Sequence, residues 1–137
     1  LQAAILLPKL EIFPEEIELR NQVASSYSSL MNRHCEEQGD LTIQLPFIET
    51  HNISAWAQYT VRVEHRDAVQ QKLKEAGIPT AVHYPIPLNK QPAVADANAE
   101  LPVGNKVAEV VMSLPMHPYI TTDEQIKIIA GLLKKND

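Results

Sequence analysis

Two short stretches set an imidazole against proline-stiffened backbone: Thr80-Ala81-Val82-His83-Tyr84-Pro85-Ile86-Pro87 and Ser113-Leu114-Pro115-Met116-His117-Pro118. In each, the histidine sits between an apolar run and proline, so the backbone fixes its direction. An imidazole held this way donates or accepts near neutral pH. With the Tyr84 phenol beside it, it can hydrogen-bond carboxylate or hydroxyl groups of a ligand. The same pattern also suits a structural histidine satisfied by backbone, and a phenol at a strand end suits a half-buried core residue with a wet tip. His83, Tyr84 and His117 are the candidate binding residues, and spacing alone leaves both alternatives open.

Other chemistries find less support. The histidines His34, His51, His65, His83 and His117 include no pair at the i, i+4 spacing of a helical zinc site, and no metal is expected. Cys35 adjoins His34 in sequence, but neighbours on a helix do not face each other, which makes a poor nucleophile signature. Glycines number only four and form neither a dinucleotide-binding nor a phosphate-binding loop, and no serine sits in a nucleophile-elbow pattern.

The elements that must carry the two motifs follow from periodicity. Leu1-Gln2-Ala3-Ala4-Ile5-Leu6-Leu7 are mostly strong helix formers, so the chain is expected to begin inside a helix and to be a piece of something longer. Pro8 is expected to interrupt that helix, and Pro14 with Glu15 and Glu16 to start another. In it, Ile17, Val23, Ala24, Tyr27, Leu30 and Met31 form one apolar stripe to about Arg33. The period then changes to that of strands over residues 41–49 and 55–64, most clearly where Ala57, Tyr59, Val61 and Val63 alternate with polar neighbours. Residues 66–76 read as a short helix with Val69, Leu73 and Ala76 inward, stopped by Gly77 and Pro79. An extended run over 78–84 delivers His83. A proline-marked loop follows, with one loose helical turn expected over 94–100, then a helix over about 105–112. A last helix opens on a capping box of Thr122 and Gln125 and turns Ile126, Ile129, Leu132 and Leu133 inward. The order predicts a layered α/β domain, helices against a small sheet.

Composition bounds the rest. At 137 residues, 45% hydrophobic and 21% charged, the chain has the size and make-up of one globular domain. A net charge of −5 with scattered basic residues argues against a nucleic-acid partner. The apolar stretch over residues 3–7 is far short of a membrane span, so no membrane association is expected. A single cysteine favours a reducing compartment, and the cytoplasm is the expected location.

Read in order, several segments resemble the C-terminal portion of the PLP-dependent sugar-nucleotide aminotransferases of the DegT/DnrJ/EryC1/StrS family. They are Leu1-Gln2-Ala3-Ala4-Ile5-Leu6, the helix around Tyr27, Ala57-Gln58-Tyr59-Thr60-Val61-Arg62-Val63, and Gly77-Ile78-Pro79-Thr80 leading into His83-Tyr84-Pro85-Ile86-Pro87. Gln91-Pro92-Ala93 and Ser113-Leu114-Pro115-Met116-His117-Pro118-Tyr119 complete the set. The wording from Val82 to Val94 is most similar to the subgroup that aminates a UDP-linked 3-keto-2-acetamido-glucuronic acid for surface polysaccharides such as lipopolysaccharide.

The resemblance implies the small α+β domain of a fold type I aminotransferase, helices on a small, mostly antiparallel sheet. Residues 1–13 would be the end of a helix continuing from a large domain, and residues 14–137 the small domain. It implies a homodimer in which PLP moves an amino group from glutamate to a UDP-sugar. In the family the Schiff-base lysine, the carboxylate facing the pyridine nitrogen and the phosphate contacts lie in the large domain. Lys9, Lys72, Lys74, Lys90, Lys106, Lys127, Lys134 and Lys135 fall outside the family's lysine motif. The fragment alone is therefore expected to be inert and to bind no cofactor, with no catalytic residue of its own. His83 and Tyr84 match positions on the small-domain side of the cleft, where they would orient the sugar nucleotide, and His117 would shape its wall. The rival expectation is a stand-alone interaction module that keeps this fold without chemistry.

Overall fold

A computed structural model describes residues 2–38 and 43–133, with the side chains of 34–38 left aside. The first element is one long helix, α1 (Gln2–Gln38), which runs through both Pro8 and Pro14. The expected break at these prolines does not occur. A proline inside a helix frees the carbonyl four residues earlier. Here those carbonyls belong to Ala4 and Leu10, in a stretch exposed throughout residues 2–15, where water can satisfy them. Beyond it the predicted stripe packs as expected: Val23, Ala24, Tyr27 and Met31 are buried and Leu30 packs against the same core.

Strand β1 (Tyr59–Arg62) pairs antiparallel with β2 (Val111–Leu114), in the register Tyr59 to Leu114 and Arg62 to Val111. The sheet widens by one antiparallel bridge on each side, Gln44 to Arg62 and Ala81 to Ser113. The strand expected over 41–49 is thus reduced to that bridge, with Ile43 and Leu45 turned to the core and residues 41 and 42 outside the described residues. β1 is shorter than the pattern predicts because positive φ angles at Trp56 (45°) and His65 (53°) break the extended backbone near both its ends. Tyr59, Val61 and Val63 are buried as the alternation requires, while Ala57 is exposed.

Helix α2 (Arg66–Glu75) ends as predicted. Gly77 adopts φ +74°, and the Gly77 and Ile78 N–H groups return to the Lys74 and Leu73 carbonyls at 3.0 and 2.8 Å. That pair is a Schellman closure, for which glycine is the favoured residue. Leu73 is fully buried, whereas Ala76 faces solvent. After a short 3-10 turn (Leu88–Lys90) residues 94–100 form turns and no helix.

The helix expected over 105–112 is displaced. Helix α3 (Pro102–Val110) starts earlier, with Pro102 in its first turn, and gives way directly to β2. Val111 and Met112 leave the helix because they pair with Arg62 and Val61 of β1, a tertiary effect that local propensity does not carry.

Helix α4 (Thr122–Leu133) is capped one residue before the predicted box. Thr121 donates from its N–H and hydroxyl to Glu124 Oε2 at 2.9 and 2.8 Å, and the Glu124 N–H returns to Thr121 Oγ1 at 3.3 Å. Gln125, freed from capping, is buried and donates to the Val23 carbonyl at 2.8 Å, fastening α4 to α1. Ile129 and Leu132 are buried and Leu133 packs beside them, but Ile126 is half exposed.

The core thus lies between the helices and one sheet face. The result is the small α+β domain predicted, helices on a small antiparallel sheet.

Candidate functional site

The Ala81 to Ser113 bridge fixes where the two histidine motifs go. Ala81 and Ser113 exchange both backbone hydrogen bonds, at 3.1 and 2.7 Å, as an antiparallel pair. His83 lies two residues beyond this pair in one direction and His117 four residues beyond it in the opposite direction. At roughly 3.3 Å per residue the two imidazoles stand on the order of 20 Å apart. The matching motifs do not converge on one site.

Their surroundings differ accordingly. His117 is exposed, and its Nδ1 accepts the Tyr119 N–H at 3.2 Å, which closes the turn after Pro118. It lines a shallow groove with Gly77, Pro79, Glu124 and Lys127 at the α4 end of the domain. This is the structural pattern, a histidine satisfied by backbone. Pro115 in the same motif accepts a hydrogen bond from Tyr27 Oη at 3.0 Å.

His83 and Tyr84 present the other pattern. The peptide bond between them is cis, their rings meet edge-on with centroids 5.6 Å apart, and both side chains are exposed, Tyr84 by 73%. Among the described residues neither ring has a hydrogen-bond partner. Both polar tips are therefore available to something outside this chain, held in place by the bridge behind them and the Pro85 to Pro87 loop ahead.

The sheet face away from the core runs toward this pair, and it is polar. Cross-strand neighbours share a face, so Gln44 and Arg62 form one row and Thr60, Ser113 and Ala81 the next. Thr60 Oγ1 and Ser113 Oγ lie 2.9 Å apart, Ser113 Oγ reaches Gln58 Oε1 at 3.5 Å, and an Arg62 guanidinium N–H donates to Gln44 Oε1 at 2.9 Å. None of these residues stands out by motif. The signal for them is the alternation itself, which assigns Gln58, Thr60 and Arg62 to the outward face.

No three of His, Cys, Asp and Glu come together in a metal-binding group among the described residues. No helix there is long and apolar enough to cross a membrane. Of the lysines, Lys9, Lys74, Lys90, Lys106 and Lys127 are exposed and Lys72 is half-buried, while Lys134 and Lys135 lie outside the described residues.

Comparison with known proteins places this geometry. The family model of the DegT/DnrJ/EryC1/StrS aminotransferase family matches residues 1–133. The chain belongs to this family. Its relatives include the UDP-2-acetamido-2-deoxy-3-oxo-D-glucuronate aminotransferase of Pseudomonas aeruginosa, 62% identical over 133 residues, 97% of this chain and 35% of the relative. The pleiotropic regulatory protein of Geobacillus stearothermophilus is 35% identical over 94% of this chain and 34% of its own length. Among solved structures, a DegT/DnrJ/EryC1/StrS aminotransferase from Brucella abortus superposes with a TM-score of 0.82 at 36% identity, over 96% of this chain and 34% of that one. DesV of S. venezuelae, solved with a ketimine intermediate, gives 0.76 at 29% identity over the same shares. The chain thus spans about a third of the length of these family members.

The family uses PLP, and the described residues do not fit that group by themselves. A PLP pocket needs a lysine and a carboxylate facing one enclosed cofactor, whereas every described lysine here is exposed or half-buried.

Proposed function

We propose that this chain is the C-terminal portion of a cytoplasmic, homodimeric, PLP-dependent aminotransferase that moves an amino group from glutamate to a UDP-linked 3-keto-uronic acid. The product amino sugar serves surface polysaccharide synthesis. The observation that carries this reading is 62% identity, over 97% of the chain, to a relative whose name states amino transfer on such a sugar. The transfer balances as glutamate plus 3-keto sugar giving 2-oxoglutarate plus 3-amino sugar. PLP supplies the electron sink when bound, and the groups that anchor it belong to the large domain.

This chain's part is orientation. His83 and Tyr84, exposed and without partners of their own among the described residues, hydrogen-bond the sugar and hold its C3 toward the cofactor. His117 braces its turn on the far side.

The full-length protein, given glutamate and the UDP-linked 3-keto-uronic acid, forms 2-oxoglutarate and amino sugar in equal amounts. A keto sugar recovered unchanged would sink the reading. The isolated 137-residue chain, treated with PLP and borohydride, acquires no stoichiometric pyridoxyl lysine. One lysine labelled to completion would show that this portion is not inert.

A further inference from the structure

One face of α1 is apolar along most of its length but covered along only part of it. At 3.6 residues per turn, Leu6, Leu10, Phe13 and Ile17 fall on one line along the helix, and the same line continues through Ala24, Tyr27 and Met31. The last three are buried in the core, whereas Leu6, Leu10 and Phe13 are 59%, 62% and 48% exposed.

The cover ends at a definite place. Arg20 Nη1 donates to the Trp56 carbonyl at 3.0 Å, while Asn21 donates from Nδ2 to the Ser54 carbonyl at 3.4 Å and accepts the Trp56 indole N–H at 3.0 Å. Arg20 and Asn21 stand on either side of the apolar line, so residues 54–56 cross it there. Beyond the crossing, residues 2–15 are all exposed, and Ile53 beside it is exposed as well. Glu11, Glu15 and Glu18 occupy the opposite side of the helix, with Ile5 and Ile12 between the two faces. An acidic side suited to water and an apolar side left bare mark the pattern of a helix that packs on a body along one face.

Area and connectivity choose that body. Three half-exposed side chains of this size present on the order of 300 Å², short of the roughly 800 Å² per partner that a stable association between separate molecules buries. A partner tethered to the same helix needs less, because tethering replaces its bulk concentration by an effective one of about millimolar or more. The chain covers 35% of its Pseudomonas aeruginosa relative and 34% of the Brucella abortus structure, so on the reading proposed above the greater part of the protein precedes α1 and is joined to it.

We infer that the Leu6, Leu10 and Phe13 face of α1 is seated against an apolar surface of the preceding part of the same chain. The inference rests on the proposed reading for the existence of that part and deepens it by assigning the contact between the two. α1 then runs as one continuous helix from this seat to Tyr27, whose hydroxyl holds the Pro115 carbonyl at 3.0 Å, and the seat fixes how the sheet and His83 stand toward the preceding part.

The test places a photo-crosslinking side chain on the full-length protein as Phe13→p-benzoylphenylalanine, which replaces one aromatic ring by another, with Glu11→p-benzoylphenylalanine on the opposite side of the helix as the control. Irradiation is expected to cross-link position 13 within one chain, to a peptide preceding Leu1, at least about fivefold more than position 11, since only a side chain in contact reacts. A product of twice the chain mass would assign the face to a second copy and overturn the inference. So would cross-links confined to residues 2–133, or a yield no higher than at position 11. Phe13→Asp gives a reading without the probe: a charge set into an apolar seat is expected to lower the thermal midpoint of the full-length protein by about 5 °C or more, and an unchanged midpoint would overturn the seat. The expected cross-link in a protein that aminates no keto sugar would overturn the proposed reaction and leave the seat standing, and amination without the cross-link would do the reverse.

Discussion

The Tyr27 hydroxyl donates to the Pro115 carbonyl at 3.0 Å, joining the middle of α1 to the turn that carries His117 across 88 residues of chain. Tyr27 is fully buried, its ring lies 5.0 Å from that of Tyr59, and Tyr59 in turn meets Trp56 at 5.6 Å and shares a hydrogen bond with Ser28 Oγ at 2.8 Å. This aromatic cluster clamps the long helix onto the sheet. Removing one hydroxyl leaves the Pro115 carbonyl without this partner, at a cost of about 1–2 kcal/mol. Tyr27→Phe therefore lowers the urea midpoint with little change in slope, and a midpoint equal to wild type would show the bond to be dispensable.

The same burial predicts alkaline instability. Burial raises the Tyr27 phenol above its ordinary 10.0, with the nearby Tyr59 and Glu124 adding to it, and burial likewise raises Tyr59 against an opposing hydrogen bond from Ser28. A folded pKa above the unfolded one means stability is complete below the unfolded value and is lost as pH rises toward the folded one. Above about pH 10 each such tyrosine removes up to about 1.4 kcal/mol per pH unit. Absorbance at the phenolate band, followed against pH alongside circular dichroism, is expected to show Tyr27 and Tyr59 ionising together with unfolding. Their ionisation in a still folded chain would contradict the buried cluster.

The α4 cap titrates at the other end of the scale. The Thr121 backbone N–H, and then its hydroxyl, hold the Glu124 carboxyl below its ordinary 4.5. A depressed carboxyl contributes stability above the unfolded value and loses it as pH falls through the folded one. A carbon-detected NMR titration is expected to place the Glu124 inflection below pH 4.5, and Thr121→Ala, which removes the hydroxyl and keeps the backbone N–H, to raise it part of the way while costing about 1 kcal/mol in stability. An inflection unmoved by that substitution would refute the cap.

Gly131 lets α4 pack closely on Leu73 and Ile78. A Cβ there would lie 2.8 Å from Ile78 Cδ1 and 3.1 Å from Leu73 Cδ2, both in buried side chains. Overpacking of this kind costs about 1–3 kcal/mol, against a helix-propensity gain of about 0.8–1.0 for leaving glycine. Gly131→Ala is expected to be destabilising by about 1 kcal/mol and Gly131→Val by about 2 kcal/mol or more, read from thermal midpoints. A more stable valine variant would show that α4 can move away from α2.

His83 and Tyr84 separate stability from activity. Both side chains are exposed, so His83→Ala and Tyr84→Phe should change folding stability by no more than about 0.5 kcal/mol. In the full-length protein His83→Ala is expected to lower kcat/KM for the keto sugar by at least about tenfold, the loss of one hydrogen bond made on the way to the transition state. An unchanged kcat/KM would remove His83 from the site.

The sequence by itself determined the family, the fold class and the inward faces of α1, β1 and most of α4, because hydrophobic period, helix stops and ordered motifs are local properties. It also yielded the Gly77 stop, since a left-handed residue after a helix calls for glycine. Where it went astray, something distant intervened. α1 passes Pro8 and Pro14 because solvent surrounds those turns, and Val111 and Met112 became strand because β1 stands ready to pair with them. The capping box moved to Thr121 and Glu124 because Gln125 was claimed by the Val23 carbonyl.

The candidate site divides along the same line. Residue types named His83, Tyr84 and His117 as candidates, yet the two histidine motifs read alike in one dimension. Only antiparallel pairing across Ala81 and Ser113 sent them to opposite ends, one satisfied by its own backbone and one left exposed. Chain order carries no sign of direction across a sheet, and that direction decides which side chains can share a ligand.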